Sequence, residues 1–147
     1  MGKPFRLQSL LEFRRQVEDE QARALGQVLA EEQRIREAIE ALNLRREEQT
    51  TALAALMSGG TFDTEGYTQH AAYLDALGRT LDQHASALDA AMALVVERRA
   101  ALVEALKDRR VLERLRDRQA EEAAVEDNRH EARDVDDLVM SRHQRGQ

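Results

Sequence analysis

The first half of the chain carries apolar residues at alternating spacings of three and four. Between residues 25 and 56 the repeat occupies Leu25, Val28, Ile35, Ile39, Leu42, Leu53 and Leu56, with the charged Glu32 at one of its positions. Arg46 and Gln49 interrupt the repeat before it resumes at Leu53. Most of the remaining positions are charged, as they are on the solvated faces of a helix. This pattern predicts one long helix that carries a coiled-coil seam.

The second half repeats an apolar residue every seven positions. The repeat occupies Tyr67, Leu74, Leu81, Leu88, Val95 and Leu102. The companion position of the heptad holds Leu77, Ala91, Ala105 and Leu112, with His84 and Arg98 as polar exceptions. A seven-residue period held over this length predicts a helix in a left-handed supercoil. The repeat fades beyond Leu115, where the later apolar residues are small or scattered.

One break separates the two repeats. It lies in residues 57–63, which contain the only Gly-Gly pair, Gly59-Gly60. Glycine weakens a helix interior by about 1 kcal/mol relative to Ala and adopts φ > 0 at little cost. Thr61, Asp63 or Thr64 could then cap the next helix. The alternative is a kink in one continuous helix, but a reversal is favoured because both flanks carry apolar stripes that need a partner.

These patterns predict an all-α fold, a long antiparallel two-helix coiled-coil hairpin that forms a single domain. We place the first helix at 5–57, the turn at 58–62 and the second helix at 63–140, followed by a frayed C-terminal tail. A count from the turn sets Phe5 opposite a point near Leu115, so that about 25 residues of the second helix overhang the first. The overhang buries little surface by itself, and we expect fast amide hydrogen exchange in 118–147.

Composition narrows the classes of function. Charged residues make up 34% of the 147 residues, aromatic residues make up 3%, and Cys is absent. Without cysteine there is no disulfide framework and no thiolate metal site. A net charge of −6 argues against a general nucleic-acid-binding protein, which usually has a basic surface. The longest apolar run, Ala90 to Val96, is far below the roughly 20 residues that span a bilayer. We expect a soluble protein that does not insert into membranes.

Candidate catalytic residues are sparse. His70 and His84 lie on one helical face but two heptads apart, about 21 Å along the helix, which is too far to share an ion. Adjacent carboxylates such as Glu121-Glu122 are typical of solvated faces. The serines lack a nucleophile-elbow context, and the glycines do not form a phosphate loop. We therefore predict that the protein is not an enzyme and binds neither a cofactor nor a metal.

The charges change sign along the second helix. Residues 107–118 hold six basic and three acidic side chains, whereas residues 121–137 hold eight acidic and two basic ones. A helix end with this charge separation could orient docking onto a partner with a complementary surface. The alternative is a solvated helix with ordinary fluctuation in the sign of its charges.

Several short stretches, taken in order, resemble the flagellar export protein FliJ family. The opening run from Phe5 to Arg14 resembles a Phe-x-Leu-Gln-x-Leu-Leu-Glu-like stretch near the start of that family. Residues 67–77 resemble its tyrosine-containing entry to the second helix. The later matches are Asp82-Gln83-His84, Leu112-Glu113-Arg114-Leu115, Asp117-Arg118-Gln119, Asp127-Asn128-Arg129 and Val135-Asp136-Asp137. The resemblance covers nearly the whole chain.

The resemblance implies a non-enzymatic component of the bacterial flagellar type III protein export apparatus. Its fold would be similar to the γ-subunit stalk of rotary ATP synthases. Such a protein would dock on the ring of the flagellar export ATPase, promote its assembly and activity, and couple it to the membrane-embedded export gate and to export chaperones. It would be cytoplasmic, held peripherally at the cytoplasmic face of the cell membrane at the flagellar base.

The resemblance also implies contact residues. In the family the ATPase is contacted at the open end of the hairpin, which transfers to Arg6, Leu10, Arg14, Arg15, Arg114, Arg118, Arg129 and Asp136. The export-gate contacts transfer to Leu42, Tyr73, Leu77 and His84. The chain departs from some family members at Arg45 and Gln49, where those members carry tyrosines.

Two other interpretations are compatible with the sequence. One is the equivalent stalk of a virulence type III secretion system, and the other is a generic coiled-coil scaffold or dimerisation module. A hairpin satisfies its own seam, so we expect a monomer when the protein is free. A scaffold would instead form a symmetric oligomer.

Overall fold

Two helices make up nearly all of the described chain. The computed structural model describes residues 4–60 and 63–146. Helix α1 spans Gln8–Ser58, with 51 residues, and helix α2 spans Thr64–Arg145, with 82 residues. The two helices pack against each other, and the described residues contain no strand. The predicted all-α fold with two paired long helices is therefore confirmed.

The break between the helices lies where the glycine pair predicts it. Helix α1 ends at Ser58, whose hydroxyl donates to the carbonyl of Ala55 at 3.2 Å, and Gly59-Gly60 follow directly. Neither glycine has a positive φ. The pair therefore acts through its poor helix propensity and not through the left-handed conformation that we considered. Residues 61 and 62 of the predicted turn lie outside the described residues.

Helix α2 begins immediately after Asp63, one of the three predicted caps. The amide of Tyr67 donates to the carbonyl of Asp63 at 3.0 Å, which is the first bond of the helix. The Asp63 carboxylate lies over Gly66, where an added Cβ would come within 2.6 Å of its Oδ2 atom. Negative charge at a helix N-terminus is favourable because it faces unpaired amides. Thr64 is the first helical residue, and Thr61 lies outside the described part of the chain.

The chain divides into two compact units. The first, which we call unit 1, combines the described residues of 1–20 and 103–147, and unit 2 consists of those in 21–102. In unit 1 the buried apolar side chains are Leu11, Ala105 and Leu112, and in unit 2 they are Leu77 and Val95. Four of these five residues occupy heptad positions that the sequence predicted for the seam.

The helices of unit 1 run antiparallel. Arg15 pairs with Glu113, while Glu18, farther along α1, pairs with Arg109, which comes earlier in α2. Phe5 shares a groove with residues of α2 between Arg116 and Asp127. Extrapolated along the antiparallel helices, the two ion pairs put a residue near 122 opposite Phe5, so the pairing is shifted by about two helical turns from the count that placed Phe5 near Leu115. A residue count from the turn fails here because side-chain interdigitation sets the register.

Beyond the pairing with α1, helix α2 continues in unit 1 with little burial. Every residue from Ala124 to Met140 is exposed. The large apolar side chains among them include Val125, Val135, Leu138 and Val139, which are 50% to 62% exposed. The fast amide exchange expected for 118–147 stays a prediction.

Candidate protein-docking site

Ion pairs join the two helices of unit 1. Arg109 lies near the middle of this cluster. It donates from Nη1 to Oε2 of Glu113 at 2.7 Å and from Nε to the carboxylate of Glu18 across the seam. Arg15 donates to the other carboxylate oxygen of Glu113 at 3.4 Å. We call Arg15, Glu18, Arg109 and Glu113 the ion network.

Within the ion network, Arg109 and Glu113 stabilise each other's charged forms. The hydrogen bond from Arg109 lowers the pKa of Glu113 below its ordinary value, despite the opposing effect of partial desolvation. The same hydrogen bond raises the pKa of Arg109, with a further contribution from Glu18. Because a guanidinium and a carboxylate stabilise each other's charged forms, Arg109 and Glu113 are both ionised at neutral pH.

The sequence pattern explains why ionic side chains occupy this part of the seam. Extending the three-four spacing back from Leu25 leads through Gln21, Glu18 and Arg14 to Leu11. Polar residues at such positions cost stability and restrict the ways in which two helices can pair. Glu18, Arg109 and Glu113 are not among the residues predicted for the site, although this extension of the repeat locates the first of them.

All eight residues predicted to contact an ATPase lie in unit 1, but they differ in availability. Arg14 and Arg15 are engaged within the chain, with Asp108 at 3.2 Å and with Glu113 at 3.4 Å. Arg6 is exposed in the turn that precedes α1. Leu10 is 40% exposed, and the neighbouring Phe13 adds a more exposed apolar ring. The first turns of α1 therefore present both charge and apolar surface.

The predicted contact residues of α2 are all exposed. Arg114, Arg118 and Arg129 have no ion pair with another described residue. Arg118 and Arg129 line one side of α2 together with the acidic residues Glu122 and Glu126. Asp136 lies farther along the helix and is also exposed. These three arginines are available to a partner, because moving them toward it breaks no internal ion pair among the described residues.

A groove lies beside the start of α1. Phe5 and Gln8 form one side of it, and the small residues Ala120, Ala123 and Ala124 line the other. Arg116, Gln119 and Asp127 complete its polar edge. Small side chains on a helix permit close approach by another helix or chain. The groove thus forms a concave, partly apolar surface between the start of α1 and α2, and none of the three exposed arginines lines it.

The residues predicted to contact the export gate all lie in unit 2, with unequal exposure. Tyr73 is 42% exposed, whereas Leu77 is 5% exposed and belongs to the core. Leu42 and His84 are partly buried, and His84 donates from Nδ1 to the carbonyl of Thr80 at 2.8 Å. Tyr73 is the member of this set best placed to touch a partner, while Leu77 would act by supporting the helix pair.

Gln49, where the chain departs from some family members, takes part in a polar contact of unit 2. Its Oε1 lies 2.9 Å from Nδ1 of His70 on the other helix. Because an amide oxygen only accepts, the imidazole donates in this bond. Tyr73 and Gln69 lie beside this pair in a shallow surface groove. The polar interruption at Gln49 is therefore matched by a polar residue on α2.

The described residues provide neither a metal cluster nor a membrane span. In residues 4–60 and 63–146, no group of three or more histidine, cysteine or carboxylate side chains could hold a metal ion. Over the same ranges, no helix is long and apolar enough to cross a membrane.

The two paired helices and the seven-residue repeat of α2 define a helical protein of the coiled-coil type. A family model described as "Flagellar FliJ protein" matches residues 3–147. The chain belongs to this family, whose members are non-catalytic components of the flagellar type III export apparatus. No curated protein and no solved structure matches the chain.

Proposed function

We propose that the protein is a non-enzymatic docking component that binds the flagellar export ATPase through unit 1. The observation that carries this proposal is the set of three exposed arginines on α2, Arg114, Arg118 and Arg129, which have no ion pair among the described residues. Guanidinium groups recognise carboxylates with directional hydrogen bonds. The ATPase ring is expected to present acidic and amide groups to them.

The helix pair suits a coupling role better than a catalytic one. Paired helices are stiff along their axes, so binding at one point can constrain a partner at another. We infer that unit 2 contacts the membrane-embedded export gate through the exposed ring of Tyr73. Export chaperones are a further proposed class of partner. The protein would then act at the cytoplasmic face of the cell membrane without crossing it.

The ATPase proposal is tested by measuring hydrolysis by the cognate export ATPase with and without the purified protein. We expect the wild-type protein to raise the hydrolysis rate. Replacing Arg114, Arg118 and Arg129 together with Ala should abolish this stimulation, because it removes three charged contacts. The matched control replaces Arg79 and Arg99, which are exposed on α2 in unit 2, and it should retain full stimulation.

Two results would contradict the ATPase proposal. One is a wild-type protein that neither stimulates the ATPase nor copurifies with it. The other is a triple variant that stimulates as well as the control variant. Circular dichroism of each variant verifies that the helices remain folded, which we expect because all five replaced side chains are exposed.

The gate proposal has its own test. Tyr73→Ala should weaken capture of the gate's cytoplasmic domain, whereas Met92→Ala should not. The two side chains have similar exposure, 42% and 44%, and both lie on α2 in unit 2. Equal capture by the two variants would remove Tyr73 from the proposed contact.

A further inference from the structure

The apolar stripe of α2 changes sides within unit 1. From the buried Leu112 onward, the three-four spacing of the seam leads to Arg116, Gln119, Ala123, Glu126, His130 and Arg133. Beyond Ala123 these positions hold only charged or polar residues, so the seam that faces α1 does not continue along the rest of α2. A helix that prolonged the path of α1 would meet charged side chains there.

A second three-four repeat begins after Ala123 on another side of α2. Its positions, which we call the distal seam, are Val125, Asn128, Ala132, Val135 and Val139. Successive residues of a helix are 100° apart, so the distal seam lies about 160° around the helix from the continuation of the first seam. All five positions are exposed, and the three valines are 50% to 60% exposed.

The spacing of the distal seam distinguishes it from scattered exposed residues. A single exposed valine is common on a protein surface. Apolar residues that recur at three and four along one face of a helix form the stripe that a second helix covers. Asn128 supplies one polar layer within this stripe, and a polar layer in a coiled-coil seam restricts the ways in which the helices can pair. The distal seam therefore has the pattern of a helix-binding surface.

The charge around the distal seam determines which kind of partner fits it. Residues 124–140 hold six acidic and two basic side chains. Glu131 and Asp136 lie directly beside the seam, and neither has an ion pair with another described residue. Two copies of such a segment repel each other, and so do the segment and an anionic membrane surface. A helix with basic residues beside its apolar face is attracted instead.

We propose that the distal seam binds one amphipathic helix of another protein. The apolar face of that helix covers Val125, Val135 and Val139, and its basic side chains lie beside Glu131 and Asp136. The contact extends about 21 Å along α2, from Val125 to Val139. It has few apolar layers and its charges are exposed, so the binding is reversible and weakens as salt is added.

This contact goes beyond the proposed ATPase contact. It depends on valines and carboxylates farther along α2 than Arg114 and Arg118, and the two proposals overlap only near Arg129. One helix can therefore present an arginine-rich stretch and an apolar, acidic stretch to different groups. Binding at the distal seam is measured without the ATPase, so a failure of either proposal leaves the other standing.

The test titrates the full-length protein into a fluorescein-labelled synthetic peptide and measures fluorescence anisotropy. The basic probe is a peptide of three heptads with Leu at both seam positions and Lys at the positions beside them. The acidic probe carries Glu in place of each Lys. We expect the basic probe to bind saturably and the acidic probe to bind at least about tenfold more weakly. Amide hydrogen exchange in 124–142 should slow when the basic probe is bound.

A double variant, Val135→Ser with Val139→Ser, tests the apolar part of the contact, because it leaves the charge of the protein unchanged. It should weaken binding of the basic probe about tenfold or more. The matched control is Val96→Ser with Val103→Ser, two exposed valines that are also on α2 but outside the distal seam. The control should bind the basic probe as the wild-type protein does. Circular dichroism verifies that each variant remains helical.

Several results overturn the proposal. The first is a basic probe that does not bind at about 1 mM protein, or an acidic probe that binds as tightly. The second is a Val135→Ser, Val139→Ser variant that binds like the control, which would mean that charge alone attracts the probe. The third is a different occupant: binding to vesicles of phosphatidylcholine and phosphatidylserine, or a mass above that of one chain in sedimentation equilibrium, that this double variant abolishes.

Discussion

Replacing Leu11 with Ala tests whether the pairing of the helices in unit 1 depends on one apolar side chain. Leu11 is 0% exposed, whereas its neighbour Leu10, in the same turn of α1, is 40% exposed. The two replacements remove the same three carbon atoms. They differ in how much of the lost surface was buried, so Leu10→Ala is the matched control.

The expected magnitude follows from this burial. At about 0.8 kcal/mol for each buried CH₂-sized group, Leu11→Ala loses about 2.4 kcal/mol. A residual cavity raises the loss toward 3 kcal/mol, roughly the lower part of the range for buried leucines, because a narrow two-helix seam can partly collapse. The partly exposed Leu10 should lose about 1 kcal/mol, since Ala also favours the helix.

The assay is urea unfolding followed by far-ultraviolet circular dichroism, combined with amide hydrogen exchange of α1. Leu11→Ala should lower the unfolding free energy by the larger amount and speed exchange most in residues 8–20. Equal effects of the two replacements on both measurements would refute the assignment of Leu11 as the apolar anchor of unit 1.

Three further outcomes are expected. Glu113→Gln should lower the free energy of unfolding at neutral pH. The difference from wild type should shrink as pH falls below about 4.5, because the folded protein lowers the pKa of this carboxyl from 4.5 and the stabilisation is lost when the carboxyl is protonated. Urea unfolding at several pH values measures the difference, and a difference that grows in acid contradicts the prediction. Gly78→Ala should stabilise the protein by about 0.5–1 kcal/mol, since nothing lies within 4 Å of the new Cβ. Gly66→Ala should stabilise it less, because the new Cβ displaces the Asp63 carboxylate. A higher melting temperature for Gly66→Ala than for Gly78→Ala would contradict this prediction. Amides in 126–140 should exchange faster than those in 70–110, and equal protection in the free protein would show that this segment is covered.

The heptad positions explain how much of the fold can be predicted from sequence. Leu77, Val95, Ala105 and Leu112 are buried where the seven-residue repeat places them, because only that stripe of α2 faces α1. The repeat does not identify which of the clustered residues near the start of α1 point inward. Leu11 is fully buried and Phe13 is 53% exposed, a choice made by local packing and not by hydrophobicity.

The candidate site was less predictable than the fold. The resemblance to a family supplied contact residues, and the structure shows that Arg14 and Arg15 already have acidic partners within the chain. Pairing across helices depends on register, and a residue count from the turn differs from the observed register by about two helical turns. The partners of an arginine therefore follow from the packed structure, whereas its presence on an exposed face follows from the repeat.

The ion network has a consequence for alignment. If α1 slipped by one heptad along α2, the residue facing Arg109 in place of Glu18 would be Leu11 in one direction and Leu25 in the other. A guanidinium set against leucine loses its carboxylate and remains partly desolvated, which is unfavourable. A seam of leucines alone tolerates such slips, because every layer looks alike. The ion network makes one layer of the seam different from the others. It therefore fixes the register of the two helices in unit 1, and with it the length of α2 that extends past the start of α1.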